Sequence, residues 1–119
     1  MHKLEIRFEP GIIVHVSGGK FPGKEEKDRY YLIISEYSRN PANETFVCLP
    51  ITSWEADEPF MIKIKNNDFE SGGLTKPSQI VCDNIFTFLK TDADFEKGKV
   101  TSFFYSKVTK LLKEKILKI

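Results

Sequence analysis

The chain has 119 residues, which predicts a single domain over residues 1–119. Hydrophobic residues make up 40% of the sequence and charged residues 29%, which excludes both a disordered chain and a membrane-embedded one. Eighteen Lys plus Arg against seventeen Asp plus Glu leave a formal net charge of +1. The overall charge therefore selects no class of partner.

No run approaches the roughly 20 apolar residues of a membrane-spanning helix, and MHKLEIRFE lacks the apolar stretch of a signal peptide. We therefore expect a cytoplasmic protein with no membrane association. Cys48 and Cys82 lie in separate apolar runs without a neighbouring histidine. We expect both thiols to be buried, with neither a disulfide, a metal nor a cofactor.

Short apolar or alternating runs predict about six strands along the first 90 residues. The predicted strands are 3–9, 12–16, 30–37, 45–52, 60–65, and a long or bent strand over 78–90. Two long polar loops, 17–28 and 66–77, separate some of them, and DADFEKGKV (92–100) is interpreted as a connector. Loops of this length in a small domain are commonly functional.

The C-terminal segment carries an apolar stripe at helical spacing, and Thr101 or Ser102 can cap its start. The stripe consists of Phe104, Val108, Leu111, Leu112 and Ile116. Strands followed by one helix predict a mainly β fold, either a twisted antiparallel sheet or a small barrel, with the helix packed on it.

Four segments occur in the order and spacing of a known family. They are GIIVHV, then RYYLIIS after a glycine-containing loop, then LPITS, then GGLTKPSQIVCDNIFT, followed by GKV and a lysine-rich helix. Over roughly residues 10–117 the chain resembles the MazF/PemK toxins of bacterial toxin–antitoxin pairs. The resemblance implies an SH3-like barrel, a homodimer, metal-free sequence-specific cleavage of single-stranded RNA, and inhibition by a cognate antitoxin that covers the RNA site.

Metal-free RNA cleavage requires a base for the ribose 2′-hydroxyl, an acid for the leaving 5′-oxygen, and cations or donors for the charge on phosphorus. A histidine pair would be the clearest signal. The chain has only His2, near its start, and His15, which alternates with valines in a predicted strand. We expect a structural or surface role for His15.

Arg29 stands where the first long loop meets a buried strand, and it is one of three arginines in the chain. A guanidinium suits planar contact with phosphate. The resemblance implies that Arg29 is catalytic, although Tyr30 replaces the proline that usually follows. The alternative from the residues alone is an ordinary surface ion pair at the start of a strand.

Thr52 and Ser53 end the LPITS strand, where a hydroxyl can donate to a phosphate oxygen or cap a turn. The resemblance implies that Thr52 stabilises the transition state, and Ser53 is predicted to contact RNA beside it. Trp54 follows at once. Its indole could stack on a base or shield the end of the barrel, and the sequence leaves both open.

Asp83 follows a buried stretch in IVCDNI, so it could serve as a general base or as a turn or ion-pair carboxylate. The resemblance to the PemK branch implies the catalytic role and places Asn84 beside the RNA. Val81 and Phe86 stand where that branch carries cations. Either Arg29 with Thr52 carries the chemistry, or activity is weakened or lost.

Lys24 and Lys27, in the first long loop, are the remaining predicted RNA contacts, although neighbouring acidic residues balance their charge. The prediction is therefore an endoribonuclease toxin. One alternative is an inactive barrel that binds RNA or an antitoxin. Another is a CcdB-like toxin that acts on gyrase, which the lysine-containing end EKILKI disfavours.

Overall fold

The computed structural model describes residues 5–36, 43–53 and 58–119. Within them lie eight β-strands and one α-helix. The strands are β1 (Ile12–Gly19), β2 (Lys27–Ile33), β3 (Thr45–Ser53), β4 (Met61–Ile64), β5 (Phe69–Gly72), β6 (Ser78–Val81), β7 (Phe86–Leu89) and β8 (Ala93–Val100). The helix α1 (Ser102–Leu111) continues as a π-helical segment over Leu112–Leu117. None of the helices in these ranges is long and apolar enough to cross a membrane.

All strand pairs are antiparallel, and the sheet order is β4-β6-β3-β2-β1-β8-β5. The long strand β3 pairs with β2 on one side. On the other side of β3, the first half of this strand pairs with β7 and the second half pairs with β6. The sheet curls into a half-barrel with one C-terminal helix, which confirms the predicted mainly β, barrel-like fold.

Apolar side chains cover both faces of the sheet, which explains why the central strands read as continuous apolar runs. On one face Ile13 and Leu32 pack with Phe104 and Val108 of α1. The other face has its own cluster, whose members include Val14, Tyr31, Ile33, Phe46 and Cys48. As predicted, Thr101 caps α1, since its hydroxyl accepts a hydrogen bond from the Phe104 N–H at 3.1 Å.

Three predicted elements are wrong. Residues 5–9 form no strand, although they alternate in polarity. The supposed connector 92–100 contains β8, which lies between β1 and β5, and the supposed loop 66–77 contains β5. β8 carries four charged residues, and most positions of both strands are half-buried or exposed, so neither strand shows an apolar run.

Glycines permit the close contact between β5 and β8. Gly72 has φ +71°, and a Cβ on it would lie 2.2 Å from the Lys97 carbonyl oxygen. A Cβ on Gly98 would lie 2.5 Å from the Ser71 oxygen. Only glycine fits at these two positions without displacing backbone.

The first long loop is shorter than predicted because β1 extends to Gly19 and β2 begins at Lys27. A bulge lies between the pairs Val16↔Arg29 and Gly19↔Lys27. Bulges re-aim side chains near the end of a strand pair. Here the irregularity brings the backbone of Gly19 over the Arg29 side chain.

Candidate functional site: a basic cleft around Arg29

Arg29 is held at the start of β2 by backbone carbonyls. Its Nε donates to the Gly19 oxygen at 3.2 Å and one terminal nitrogen donates to the Glu25 oxygen at 3.1 Å. The guanidinium carbon lies 5.4 Å from the centre of the Phe21 ring, and the residue is only 7% exposed. Among the described residues no carboxylate forms an ion pair with it. Within the described residues the positive charge is therefore fixed in place by carbonyls and is paired with no carboxylate.

Gly19 is the residue that makes this arrangement sterically feasible. A Cβ at this position would lie 2.8 Å from the Tyr31 hydroxyl and 2.9 Å from the Arg29 Cβ. The Tyr31 hydroxyl donates to the Lys20 carbonyl at 2.6 Å. Burial raises the pKa of Tyr31 to about 12, so this donor keeps its proton. Gly19 and Tyr31 together hold the start of the loop against Arg29.

Thr52 and Ser53 lie beside Arg29 at the end of β3. The β2–β3 pairing ends at Tyr30↔Ile51, and this register sets Thr52 alongside Arg29. On the other side of β3, Thr52 pairs with Gln79. Thr52 is half-buried and Ser53 is exposed, so both hydroxyls are available to a ligand. The structure thus brings Arg29, Thr52 and Ser53 together at one place.

Two adjoining cavities, of about 350 Å³ and 280 Å³, share four lining residues. The shared residues are Lys27, Arg29, Thr52 and Ser53. Lys24 lines the smaller cavity, so both predicted loop lysines border this region, which we call the cleft. Phe21 and Tyr30 add aromatic surface to its walls.

A third cavity, of about 340 Å³, continues the cleft because it shares Leu74, Thr75, Lys76 and Ser78 with the larger cavity. The three cavities together are called the groove. Among the described residues that line it, the cations are Lys24, Lys27, Arg29, Lys63, Lys65, Lys76 and Lys97, and the carboxylates are Asp28 and Glu58. A groove with this excess of cations on a nearly neutral chain attracts polyanions locally.

Asp83 and Asn84 lie elsewhere, in the turn that follows β6. Asp83 is exposed and accepts a hydrogen bond from the Asn84 amide at 3.1 Å. Neither residue lines the cleft, which meets β6 at its opposite end, through Ser78 and Gln79. Within one chain, Asp83 is therefore not brought together with Arg29. Trp54 lies outside the described residues.

The two positions that lack the expected cations serve the core. Val81 is fully buried, and the half-buried Phe86 has its ring centre 6.0 Å from that of Tyr31. Both cysteines are buried, as predicted. Burial raises the pKa of Cys82 to about 12 and also raises that of Cys48, so neither thiol is a ready nucleophile.

Sequence reasoning missed several residues of the groove, among them Phe21, Lys76 and Lys97. Lys97 lies in the segment interpreted as a connector (92–100), and Lys76 lies in the segment predicted to be a loop (66–77). The only local sign of a glycine packed against Arg29 was the pair Gly18–Gly19 before Lys20, and such a pair is ordinary in a loop. Which glycine packs against Arg29 depends on the bulge.

The fold is a curled antiparallel sheet with one C-terminal helix, and a basic cleft lies where β2 begins and β3 ends. These features define a small barrel protein whose cleft suits an anionic ligand. Residues 9–116 match the family of PemK-like, MazF-like toxins of type II toxin–antitoxin systems. The chain belongs to that family. A comparison of the sequence with curated proteins finds no significant match.

Solved structures support the fold. One is an endoribonuclease in complex with its cognate antitoxin from a mycobacterial species, with TM-score 0.73 and 22% identity over 93% of this chain and 95% of that one. A second is the Mycobacterium tuberculosis toxin MazF-mt6, with TM-score 0.67 and 18% identity over 85% and 92% of the two chains. A third is a MazE-MazF structure from Deinococcus radiodurans, with TM-score 0.72 and 15% identity over 92% and 96%.

Proposed function

We propose that this protein is the toxin of a toxin–antitoxin pair and a metal-independent endoribonuclease that cuts single-stranded RNA at a specific sequence. The observation that carries the proposal is Arg29, a nearly buried guanidinium fixed by two backbone carbonyls and facing a groove rich in cations. A fixed cation that no described carboxylate pairs with, next to hydroxyl groups, matches what the transition state of phosphodiester cleavage requires.

In this reaction the ribose 2′-oxygen attacks the adjacent phosphorus and the 5′-oxygen leaves, which produces a 2′,3′-cyclic phosphate. Negative charge builds on the non-bridging oxygens during the attack. Arg29 has donors beyond the two that bind carbonyls, and these can meet that charge. The Thr52 hydroxyl, which lines the same cavities, supplies a further donor. A preorganised arrangement of this kind needs no reorganisation when the charge develops.

The groove suits a single strand of RNA. Its lysines can follow the phosphates, and Phe21 and Tyr30 offer surface on which a base can stack. Ser53, Lys24 and Lys27 are the proposed contacts nearest the scissile phosphate. Sequence specificity is proposed to come from base edges read in the unpaired strand.

We propose a cognate antitoxin and a second copy of this chain as protein partners. The solved relatives include complexes of an endoribonuclease with its cognate antitoxin and of MazF with MazE. An antitoxin segment that fills the groove would block RNA through the same cations. Exposed apolar side chains, among them Phe103 at 72% exposure, offer surface for a homodimer, which sedimentation equilibrium can test.

A second candidate is a barrel that binds RNA without cutting it. The burial of Val81 and the packing of Phe86 favour it, because two positions where the resemblance implies cations are here occupied by apolar side chains packed into the protein. Both candidates use the groove, so binding alone does not separate them.

The test is to incubate the pure protein with a long unstructured RNA in EDTA and to sequence the resulting ends. We expect cuts at one short motif and 2′,3′-cyclic phosphate ends, with cutting abolished in Arg29→Ala. RNA binding without such ends at high protein concentration would support the non-cutting barrel. Cleavage that depends on added metal would overturn metal independence.

A further inference from the structure

A line of three side chains, Asp94, His15 and Asp28, runs across β8, β1 and β2. The His15 Nδ1 lies 2.9 Å from the Asp94 Oδ2, and its Nε2 lies 3.7 Å from the Asp28 Oδ2. The His15 side chain is 13% exposed and the Asp28 side chain 70% exposed. One imidazole therefore faces a carboxylate on each side, one anchored and one free to reach solvent.

The anchored end of this line is rigid. Asp94 Oδ2 also accepts hydrogen bonds from the Ser17 N–H and the Ser17 hydroxyl, each at 2.8 Å. Burial alone would raise the pKa of Asp94, but the hydrogen bonds from Ser17 and His15 outweigh it and lower the pKa, so the carboxylate stays charged. A charged Asp94 at Nδ1 favours a proton on that nitrogen.

Aromatic rings fix the plane of the imidazole. The Phe95 ring stacks on His15 with centroids 4.7 Å apart at 9°, and Tyr30 meets it edge-on at 5.2 Å. Lys97 lies 5.8 Å from the centre of the Tyr30 ring, and Lys27 and Arg29 adjoin Asp28 in β2 and line the same cavity. The clamped ring leaves its Nε2 edge turned toward Asp28.

The free end of the line belongs to the cleft. Asp28, Tyr30 and Lys97 line the larger cavity together with Arg29 and Thr52. Of the described residues that line the groove, Asp28 and Glu58 are the carboxylates, and Asp28 shares the larger cavity with the proposed stabilisers. A carboxylate at this position can reach a substrate that Arg29 and Thr52 hold.

We propose that Asp28 is the general base of the cleavage and that His15 is a positioning residue that holds it. The proposal rests on the proposed function. Asp28 takes the 2′-hydroxyl proton, the bond between the 2′-oxygen and phosphorus forms, the bond from phosphorus to the 5′-oxygen breaks, and that oxygen takes a proton from solvent. Protonated His15 attracts Asp28 through Nε2, whereas neutral His15 with its proton on Nδ1 turns a lone pair toward it.

This arrangement has a pH signature. The rate should rise with pH while the base loses its proton, and it should decline again at higher pH once the imidazole no longer donates to that base. In His15→Gln a side-chain amide can donate at the Nε2 position at every pH, so the decline at higher pH disappears. His15→Asn reaches only toward Asp94 and should slow cleavage between about tenfold and 10²-fold, because the base is misplaced. If His15 had only a structural role, His15→Gln would leave the decline at higher pH in place and His15→Asn would not slow cleavage.

The test compares single-turnover cleavage by wild type, Asp28→Asn, His15→Gln, His15→Asn and Arg29→Ala, with Glu114→Gln on the exposed helix face as the matched control. Asp28→Asn should slow cleavage about 10²-fold or more, while its melting temperature and its binding of RNA with a 2′-deoxy cleavage site match wild type. Asp28→Asn cutting as fast as wild type, while Arg29→Ala does not cut, overturns this proposal alone. An unchanged pH profile in His15→Gln overturns the role of His15. Absence of cleavage by wild type overturns the proposed function and this proposal with it.

Discussion

Replacing Arg29 by lysine separates the charge of this side chain from its geometry. A guanidinium has five N–H donors, and two of them bind the carbonyls of Gly19 and Glu25. Among the described residues nothing binds the other three, which are proposed to meet the phosphate. A lysine ammonium has three donors on a flexible stem, so it cannot hold both carbonyls and also present a planar pair to phosphate.

We therefore expect Arg29→Lys to lose most of the transition-state stabilisation, with a fall in single-turnover rate of about 10²–10³, or roughly 2.7–4 kcal/mol of barrier. Arg29→Ala should fall at least as far. Binding of RNA with a 2′-deoxy cleavage site should weaken far less than the rate, because the groove lysines remain.

The matched control is Arg7→Ala, since Arg7 is an exposed arginine paired with Glu96 outside the groove. It should cut like wild type. Urea unfolding curves that coincide for wild type and Arg29→Lys would show that the loss is chemical rather than structural. Arg29→Lys with the wild-type rate would refute the argument that the geometry of the guanidinium, and not its charge alone, is needed.

Three further predictions follow from the same geometry. Thr52→Ala should slow cleavage less than Arg29→Ala, because only one neutral hydrogen-bond donor is lost. An equal or larger loss of rate in the single-turnover assay would show that Thr52 stabilises the transition state at least as much as Arg29 does. Asp83→Asn should cost under about tenfold, or ~1.4 kcal/mol, because Asp83 lies away from the cleft, and a complete loss of cutting would show that it belongs to an active site after all. Gly19→Ala should lower the free energy of unfolding by roughly 1–3 kcal/mol, since its Cβ would overlap Tyr31 and Arg29, and an unchanged urea midpoint would contradict the clamp.

Much of the fold could be predicted because apolar runs and helical periodicity depend on local sequence. The strands β1, β2 and β3 and the helix with its Thr101 cap lie close to their predicted places. β8 could not be predicted because it reads as a charged segment. Only its placement between β1 and β5, with Gly98 against Ser71, makes it a strand.

For the candidate site, too, some features follow from the sequence and others follow only from the tertiary structure. The sequence by itself determined that Arg29 stands at a loop–strand junction and that Thr52 and Ser53 end a buried strand, because these are neighbours in the chain. Only the tertiary structure decided that the bulge brings Gly19 over Arg29 and that Asp83 lies apart from Arg29. It also decided that His15 connects Asp94 to Asp28. Each of these depends on the register between strands distant in sequence, and a shift of one residue would turn every side chain to the other face.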